Sequence, residues 1–114
     1  MRSAKEDGKS AIRKWVRSCL DKLQSKTNQY EAEIEVIATT GNEEDFERSI
    51  TLEYWVERNK FHTHALEVIL RGWENEEIMP EQIDEVRPFM QEYLERREVG
   101  FVGDLIRSYI FLKY

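Results

Sequence analysis

The sequence has little of what stabilises secreted domains or β-sandwiches. It contains one cysteine, Cys19, so no disulfide can form within the chain, which favours a reducing compartment. Only five glycines and two prolines occur in 114 residues, and this scarcity of turn residues argues against a β-sandwich. No apolar run approaches the roughly 20 residues that span a bilayer, and no signal-peptide pattern opens the chain. These absences predict a soluble, intracellular protein.

Charged residues, in contrast, are abundant and unevenly distributed. Asp, Glu, Lys and Arg make up 35% of the chain, and the formal net charge is −6. Residues 1–26 nevertheless carry a net charge of +5, so the rest of the chain carries −11. Such a division can mark a basic face that meets phosphate. The alternative is that these charges only solvate long helices, and the sequence leaves both interpretations open.

Apolar residues recur every three or four positions in the first third of the chain, which predicts a helix over residues 10–38. The inner positions are Ile12, Val16, Cys19, Leu23, Thr27, Tyr30, Ile34 and Ile37. Two consecutive four-residue steps, from Cys19 through Leu23 to Thr27, break the heptad phase. Lys26 and Thr27 predict a thinner or more polar core at this level.

Turn residues at 39–42 separate this helix from a second one, predicted over residues 43–74. Asn42 is a candidate cap, and Asn75 is a candidate left-handed residue at the far end. The inner positions of the second helix are predicted to be Phe46, Ile50, Tyr54, Phe61, Ala65 and Val68, with Leu66, Leu70 and Trp73 widening the stripe. The short connection makes the two helices antiparallel.

A third helix is predicted over residues 80–97, because Pro80 suits a first helical position. Its inner positions are Ile83, Val86, Met90, Tyr93 and Leu94, and Pro88 predicts a kink or a break near residues 84–87. An apolar segment follows over residues 98–114. The predicted fold is therefore all-α and forms one domain over residues 1–114. It is an antiparallel two-helix coiled-coil hairpin with a third packed helix, a three-helix bundle.

No pattern in the sequence indicates catalysis. His62 and His64 are two positions apart on a helix, so their side chains point about 200° apart and cannot share a metal. Cys19 belongs to the apolar stripe and is read as a small core residue. There is no glycine-rich phosphate loop and no nucleophile motif. We therefore expect no enzymatic activity, no cofactor and no metal.

Several blocks of residues together resemble a known family. They are Trp15 with Leu20-Asp21-x-Leu23, Asn28-Gln29-Tyr30-Glu31-Ala32-Glu33-Ile34-Glu35, His62-x3-Leu66-Glu67-x-Ile69-Leu70-Arg71, Asn75-Glu76, and Pro80-Glu81-Gln82-Ile83-x2-Val86. In order and spacing they are similar to the N-terminal helical domain of subunit three of the CCR–NOT deadenylase complex (subunit five in fungi). The likeness covers roughly residues 12–97. The short acidic loop at 39–49, Pro88 and the apolar end depart from the family pattern, and the chain is either an excised domain or a shortened relative.

The resemblance implies a non-enzymatic adaptor of the CCR–NOT complex. Such an adaptor would act in mRNA decay by deadenylation, in translational repression and in transcription regulation, in both cytoplasm and nucleus. It implies other CCR–NOT subunits as partners, and docking to the ribosome at a vacant tRNA exit site. The alternative is a purely protein-binding helical scaffold without RNA contact. No membrane partner is expected.

Two sets of residues are candidates for these contacts. Basic or aromatic side chains that could meet ribosomal RNA are Arg13, Lys14, Arg17, Arg58, Lys60, His62 and Arg71. For any single one of them, an ordinary solvated residue remains the alternative. Residues of the apolar end that could bind a partner or support self-association are Leu105, Ile106, Tyr109, Ile110 and Leu112.

Overall fold

Three helices make up the part of the chain that is described, which in this computed structural model is residues 4–96, with side chains from Gly8 onward. They are α1 (Ala4–Thr40), α2 (Phe46–Glu74) and α3 (Pro80–Glu95), with a 3-10 turn at Glu43–Asp45. No strand occurs within these residues, and the all-α prediction is confirmed. Helix α1 begins well before residue 10, because one helical glycine, Gly8, weakens a helix without ending it.

Contacts at both ends of the hairpin show that α1 and α2 are antiparallel. Arg48, early in α2, donates to the Glu33 carboxylate at 3.1 and 3.2 Å. At the other end, the Trp73 indole N–H donates to the Lys9 carbonyl at 3.2 Å. Helix α3 then returns along α2 and covers only one end of the hairpin. We call that end the three-helix end, and the end near residues 30–56 the two-helix end.

Each end has its own apolar core. The three-helix cluster consists of Ile12, Val16, Cys19, Leu23, Leu66, Trp73, Ile83 and Met90. The two-helix cluster consists of Tyr30, Leu52, Trp55 and Val56. Between them lie two buried polar residues, Thr27 and Asn59, which are 5% and 3% exposed. The inner stripes predicted for α1 and α3 are therefore confirmed, as is the polar level at Thr27.

The inner face predicted for α2 is wrong at four of its six main positions, although Leu66 and Trp73, which were predicted to widen the stripe, are buried. Phe61 is 60% exposed, and Phe46, Ile50 and Val68 are 65%, 46% and 47% exposed. The buried face is instead centred on Leu52, Trp55, Asn59, Leu66 and Trp73. Helix α2 thus has two apolar stripes, roughly 150° apart at about 100° per residue. The hairpin buries the stripe that holds both tryptophans, since these side chains remove the most apolar area from water.

The two turns differ from prediction in their caps. Asn42 precedes the 3-10 turn, but its side chain makes no capping hydrogen bond. At the end of α2, Asn75 is not left-handed, and Glu76 takes that conformation with φ of 61°. The amides of Glu76 and Glu77 donate to the carbonyls of Trp73 and Gly72, which is the Schellman pattern.

Helix α3 continues through Pro88, so of the predicted kink or break the break is wrong. Ile83 and Met90, on either side of this proline, are both buried in the three-helix cluster. Packing on both sides therefore holds the helix together despite the hydrogen bond that proline removes. The apolar segment 98–114, with the candidate residues Leu105, Ile106, Tyr109, Ile110 and Leu112, lies outside the described residues.

Candidate functional site

Arg13, one of the predicted RNA contacts, is engaged within the bundle. Its Nη2 donates to Glu74 Oε2 at 3.0 Å, and its Nε donates to the other carboxylate oxygen. The hydrogen bonds and the opposite charges raise the pKa of Arg13, and the same hydrogen bonding lowers the pKa of Glu74. Arg13 is therefore already paired with Glu74 before any partner arrives.

The fold brings the basic start of α1 beside the acidic end of α2. Lys9 lies 3.6 Å from the carboxylate of Glu76, and the charges of Lys9 and Arg17 both help to lower the pKa of Glu74. Lys14 and Arg17 remain exposed. Sequence patterns within one helix could not predict this contact, because its partners are about 60 residues apart.

The candidates on α2 have different environments. Lys60 and Arg71 are exposed, whereas the Arg58 guanidinium lies 5.3 Å from the centre of the Phe61 ring. Arg58 precedes Arg71 by thirteen residues, roughly 20 Å along the helix. The predicted RNA-binding residues of α2 therefore do not lie together in one patch.

His62 is half-buried and packs against α3. Its ring centre lies 4.2 Å from that of Tyr93 and 5.4 Å from that of Phe61. Burial, and then the positive charges of Arg58 and Arg96, lower the pKa of His62 from 6.5 to about 4. His62 is therefore uncharged at neutral pH and adds no positive charge to the surface.

The second stripe of α2 forms an apolar surface on the outside of the bundle. We call it the outer stripe, and its exposed members are Phe46, Ile50, Phe61 and Val68. Half-buried Tyr54 and Ala65 continue it, so that its members recur at steps of three, four or seven residues. Large exposed apolar surfaces on soluble proteins commonly mark contacts with other proteins. Because the periodicity is helical, the outer stripe suits a partner helix.

Arg96, just after α3, forms a contact that the sequence did not reveal. Its guanidinium carbon lies 3.4 Å from the centre of the Trp55 ring and 4.2 Å from that of Tyr93. The hydroxyl of Tyr93 donates to Oδ1 of the buried Asn59 at 2.5 Å. The polar level of the core is thus built by all three helices, and in the sequence Lys26 and Thr27 alone indicated it.

Neither metal binding nor thiol chemistry has support among residues 4–96. No group of three or more His, Cys, Asp or Glu side chains there is placed to hold a metal ion. Cys19 is buried, and burial raises the pKa of its thiol. No helix of the described part is long and apolar enough to cross a membrane.

One protein family matches this chain over nearly its whole length. A family model described as Not3, "Not1 N-terminal domain, CCR4-Not complex component", matches residues 1–111. The chain belongs to this family. It is also 29% identical over 96 residues to "General negative regulator of transcription subunit 3" of Schizosaccharomyces pombe. That match covers 80% of this chain but only 15% of the yeast protein. No solved structure matches the chain.

Proposed function

We propose that this Not3-family chain is a non-enzymatic adaptor module of the CCR4–Not complex. It joins the complex by protein contacts and acts in deadenylation-dependent mRNA decay, translational repression and transcription regulation, in cytoplasm and nucleus. Family membership supports the complex, and the name of the yeast relative supports negative regulation of transcription. The observation that carries the protein-binding mode is the outer stripe of α2.

The outer stripe supports a protein partner because the hairpin leaves it uncovered along most of α2. Phe46 and Val68 are 22 positions apart, roughly 33 Å along a helix. An amphipathic helix of another subunit could cover this length with its own apolar face. Such docking depends mainly on apolar burial, so added salt weakens it little.

A double substitution in the outer stripe tests this mode of binding. Phe61→Ser with Val68→Ser removes two exposed apolar side chains, so helicity and melting temperature should stay close to those of the parent chain. Co-purification of the tagged chain with CCR4–Not subunits should be lost at both low and high salt. Val36→Ser on α1 is the matched control, since Val36 is 61% exposed but lies outside the stripe. Unchanged co-purification of the double variant would contradict this binding mode.

Ribosome docking is the second candidate, as the family resemblance implies. It is supported by the exposed cations Lys14 and Arg17 on α1 and Lys60 and Arg71 on α2. Arg13 is less suited to this role, since its guanidinium is bound to Glu74. Contacts between cations and phosphate would make binding fall steeply with added salt, unlike docking through the outer stripe.

Sedimentation with ribosomes at two salt concentrations tests this candidate. Lys14→Glu with Arg17→Glu should weaken binding, and should flatten the slope of log K against log salt by about 0.7–0.9 for each lost phosphate contact. Arg13 is left intact, because a carboxylate at that position would face Glu74 and destabilise the bundle. Lys22→Glu, further along α1, is the control for loss of positive charge on this helix and should bind like the parent. Equal binding of the double variant, Lys22→Glu and the parent would contradict docking through the start of α1.

A further inference from the structure

A cleft opens beside Asn59, where α1 and α3 diverge above α2. It has a volume of about 270 Å³. Residues that matter for its chemistry are Leu23 and Lys26 on α1, Asn59 on α2, and Tyr93, Leu94 and Arg96 at the end of α3. The cleft lies between the two apolar clusters and away from the outer stripe.

Two hydrogen-bond donors in this cleft have no partner among the described residues. Asn59 is only 3% exposed, and while its Oδ1 accepts from Tyr93, its Nδ2 makes no hydrogen bond to residues 8–96. The Nε of Arg96 is also buried and has no partner within the same range. An unsatisfied buried donor costs about 1–3 kcal/mol. A ligand that brings acceptor atoms would therefore gain more here than on an exposed surface.

The guanidinium of Arg96 is also fixed in position before any ligand binds. It lies between the rings of Trp55 and Tyr93, 3.4 and 4.2 Å from their centres. A charged donor that is already ordered loses less conformational entropy on binding than a free surface arginine. Because Lys26 also lines the cleft, two cations and one amide donor border a small volume.

These donors fit a carboxylate, which has only acceptor oxygens and forms short charge-assisted hydrogen bonds. A nucleobase fits poorly, because Arg96 and His62 lie against the Tyr93 ring and Tyr30 is 5% exposed, so neither tyrosine offers an open stacking face. A polyanionic strand would also meet the net charge of −11 that follows residue 26. Leu23 and Leu94 supply apolar walls for a neighbouring side chain.

We propose that the cleft formed by Lys26, Asn59 and Arg96 binds the single carboxylate of a glutamate or aspartate in a leucine-containing segment of a protein partner. The site is separate from the outer stripe. The proposal rests on the adaptor function and adds a short-range charged contact at the cleft to the apolar contact made through the outer stripe. Either surface can therefore fail its test without affecting the other.

Nuclear magnetic resonance can observe the proposed donors directly. The side-chain amide of Asn59 and the Nε–H of Arg96 give their own signals in a ¹H–¹⁵N correlation spectrum. The full chain is titrated with the capped dipeptide acetyl-Leu-Glu-amide and with its neutral match acetyl-Leu-Gln-amide. Both signals should shift saturably with the glutamate peptide, at a Kd of about 1 mM, and at least roughly tenfold more weakly with the glutamine peptide.

Variants on α1 identify the cleft as the site. Lys26→Gln should weaken binding of the glutamate peptide about tenfold, since a hydrogen bond to a charged group contributes about 1.5–3 kcal/mol. Lys22→Gln, one turn earlier and also exposed, should bind like the parent. Both positions tolerate substitution because neither side chain is in the core.

Three outcomes would overturn the proposal. In the first, the glutamate and glutamine peptides shift the two signals equally, so the carboxylate is not recognised. In the second, inorganic phosphate or hexauridylate shifts the same signals at lower concentration than the glutamate peptide, so the cleft prefers phosphate. In the third, neither signal moves with any probe up to 10-fold above the expected Kd of about 1 mM, so the donors are satisfied in solution.

Discussion

The two ends of the bundle bury their apolar side chains in different ways. At the three-helix end, α3 supplies Ile83 and Met90, so eight residues form one buried cluster. At the two-helix end α1 and α2 supply all four residues of the cluster, in which Leu52 is fully buried, and α3 adds half-buried Tyr93 beside Trp55. Large aromatic side chains there take the place of the missing helix, because each removes much apolar area from water.

The comparison explains where polar and charged groups collect. Asn59 and Thr27 are buried where the third helix ends, and Arg96 covers Trp55 just beyond that point. A two-helix core leaves the faces of its aromatic rings open. A guanidinium can lie on such a face and still offer the N–H groups at its edge as hydrogen-bond donors. The border between the two ends is therefore the part of the described chain best suited to bind charged groups.

The largest expected effect separates the two cores. Leu66→Ala in the three-helix cluster and Leu52→Ala in the two-helix cluster remove the same atoms from fully buried sites. Such changes cost about 2–5 kcal/mol, and more where the cavity cannot collapse. Leu66 is enclosed by three helices. We therefore expect Leu66→Ala to reduce the free energy of unfolding by an amount near the upper limit of this range, and Leu52→Ala by an amount near the lower limit. Urea denaturation measures both, and an equal or reversed order would show that α3 does not stiffen its end.

A pH effect of intermediate size should arise at the border, from His62. Burial and the nearby arginines lower the pKa of His62 to about 4 in the folded state, so the unfolded chain binds this proton first as pH falls. The stability contribution is complete above pH 6.5 and is lost as pH falls to about 4. Because the ring is only half-buried, we expect a loss of about 1–2 kcal/mol.

Denaturation of two histidine variants over this pH range assigns the effect to His62. His62→Gln should reduce the pH dependence of the free energy of unfolding between pH 6.5 and 4, because the titrating group is gone. His64→Gln removes an exposed histidine two positions away and should keep the dependence of the parent. The same reduction in both variants would mean that the effect is not local to the contact with Tyr93.

The turns at the two ends offer a matched pair of smaller, opposite effects. Gly41 and Glu76 both have left-handed backbones, with φ of 65° and 61°. Gly41→Ala should destabilise the chain by about 1 kcal/mol, because a Cβ is strained in that conformation even with open space around it. Glu76→Gly should stabilise it by up to about 1 kcal/mol, since the strain is removed and only an exposed ion pair with Lys9 is lost. Melting curves measure both, and the same sign for both would contradict the backbone explanation.

The smallest expected effect is at Phe61. Sequence periodicity predicts a core residue whose replacement by alanine would cost about 3–5 kcal/mol. Because Phe61 is 60% exposed, we now expect Phe61→Ala to change the free energy of unfolding by no more than about 0.5 kcal/mol. Urea denaturation of this variant and of Leu66→Ala checks this. A loss of stability near that of Leu66→Ala would mean that Phe61 is buried, as the sequence periodicity predicts.

The predictions that came from local patterns agree with the structure for the inner faces of α1 and α3, but not for the inner face of α2 or for the caps. The inner stripe of α1 and the inner face of α3 each had one continuous apolar series, and both are buried as expected. The predicted start of α3 at Pro80 is also correct. Each of these features depends on neighbours within one or two helical turns, which is the range over which side-chain periodicity carries information.

The contacts of the candidate site were not predictable in this way. The pairing of Arg13 with Glu74 and the place of Arg96 over Trp55 join residues far apart in the chain.

The sequence by itself determined that the described chain is helical, where its helices lie, and which faces of α1 and α3 turn inward. The tertiary structure decided which of the two apolar stripes of α2 is buried. Both stripes have helical spacing, so only the total area buried against α1 and α3 distinguishes them, and the stripe with Trp55 and Trp73 is chosen. The same choice leaves Phe61 outside and places Asn59 at the cleft, because a helix turned about its axis moves all its side chains together.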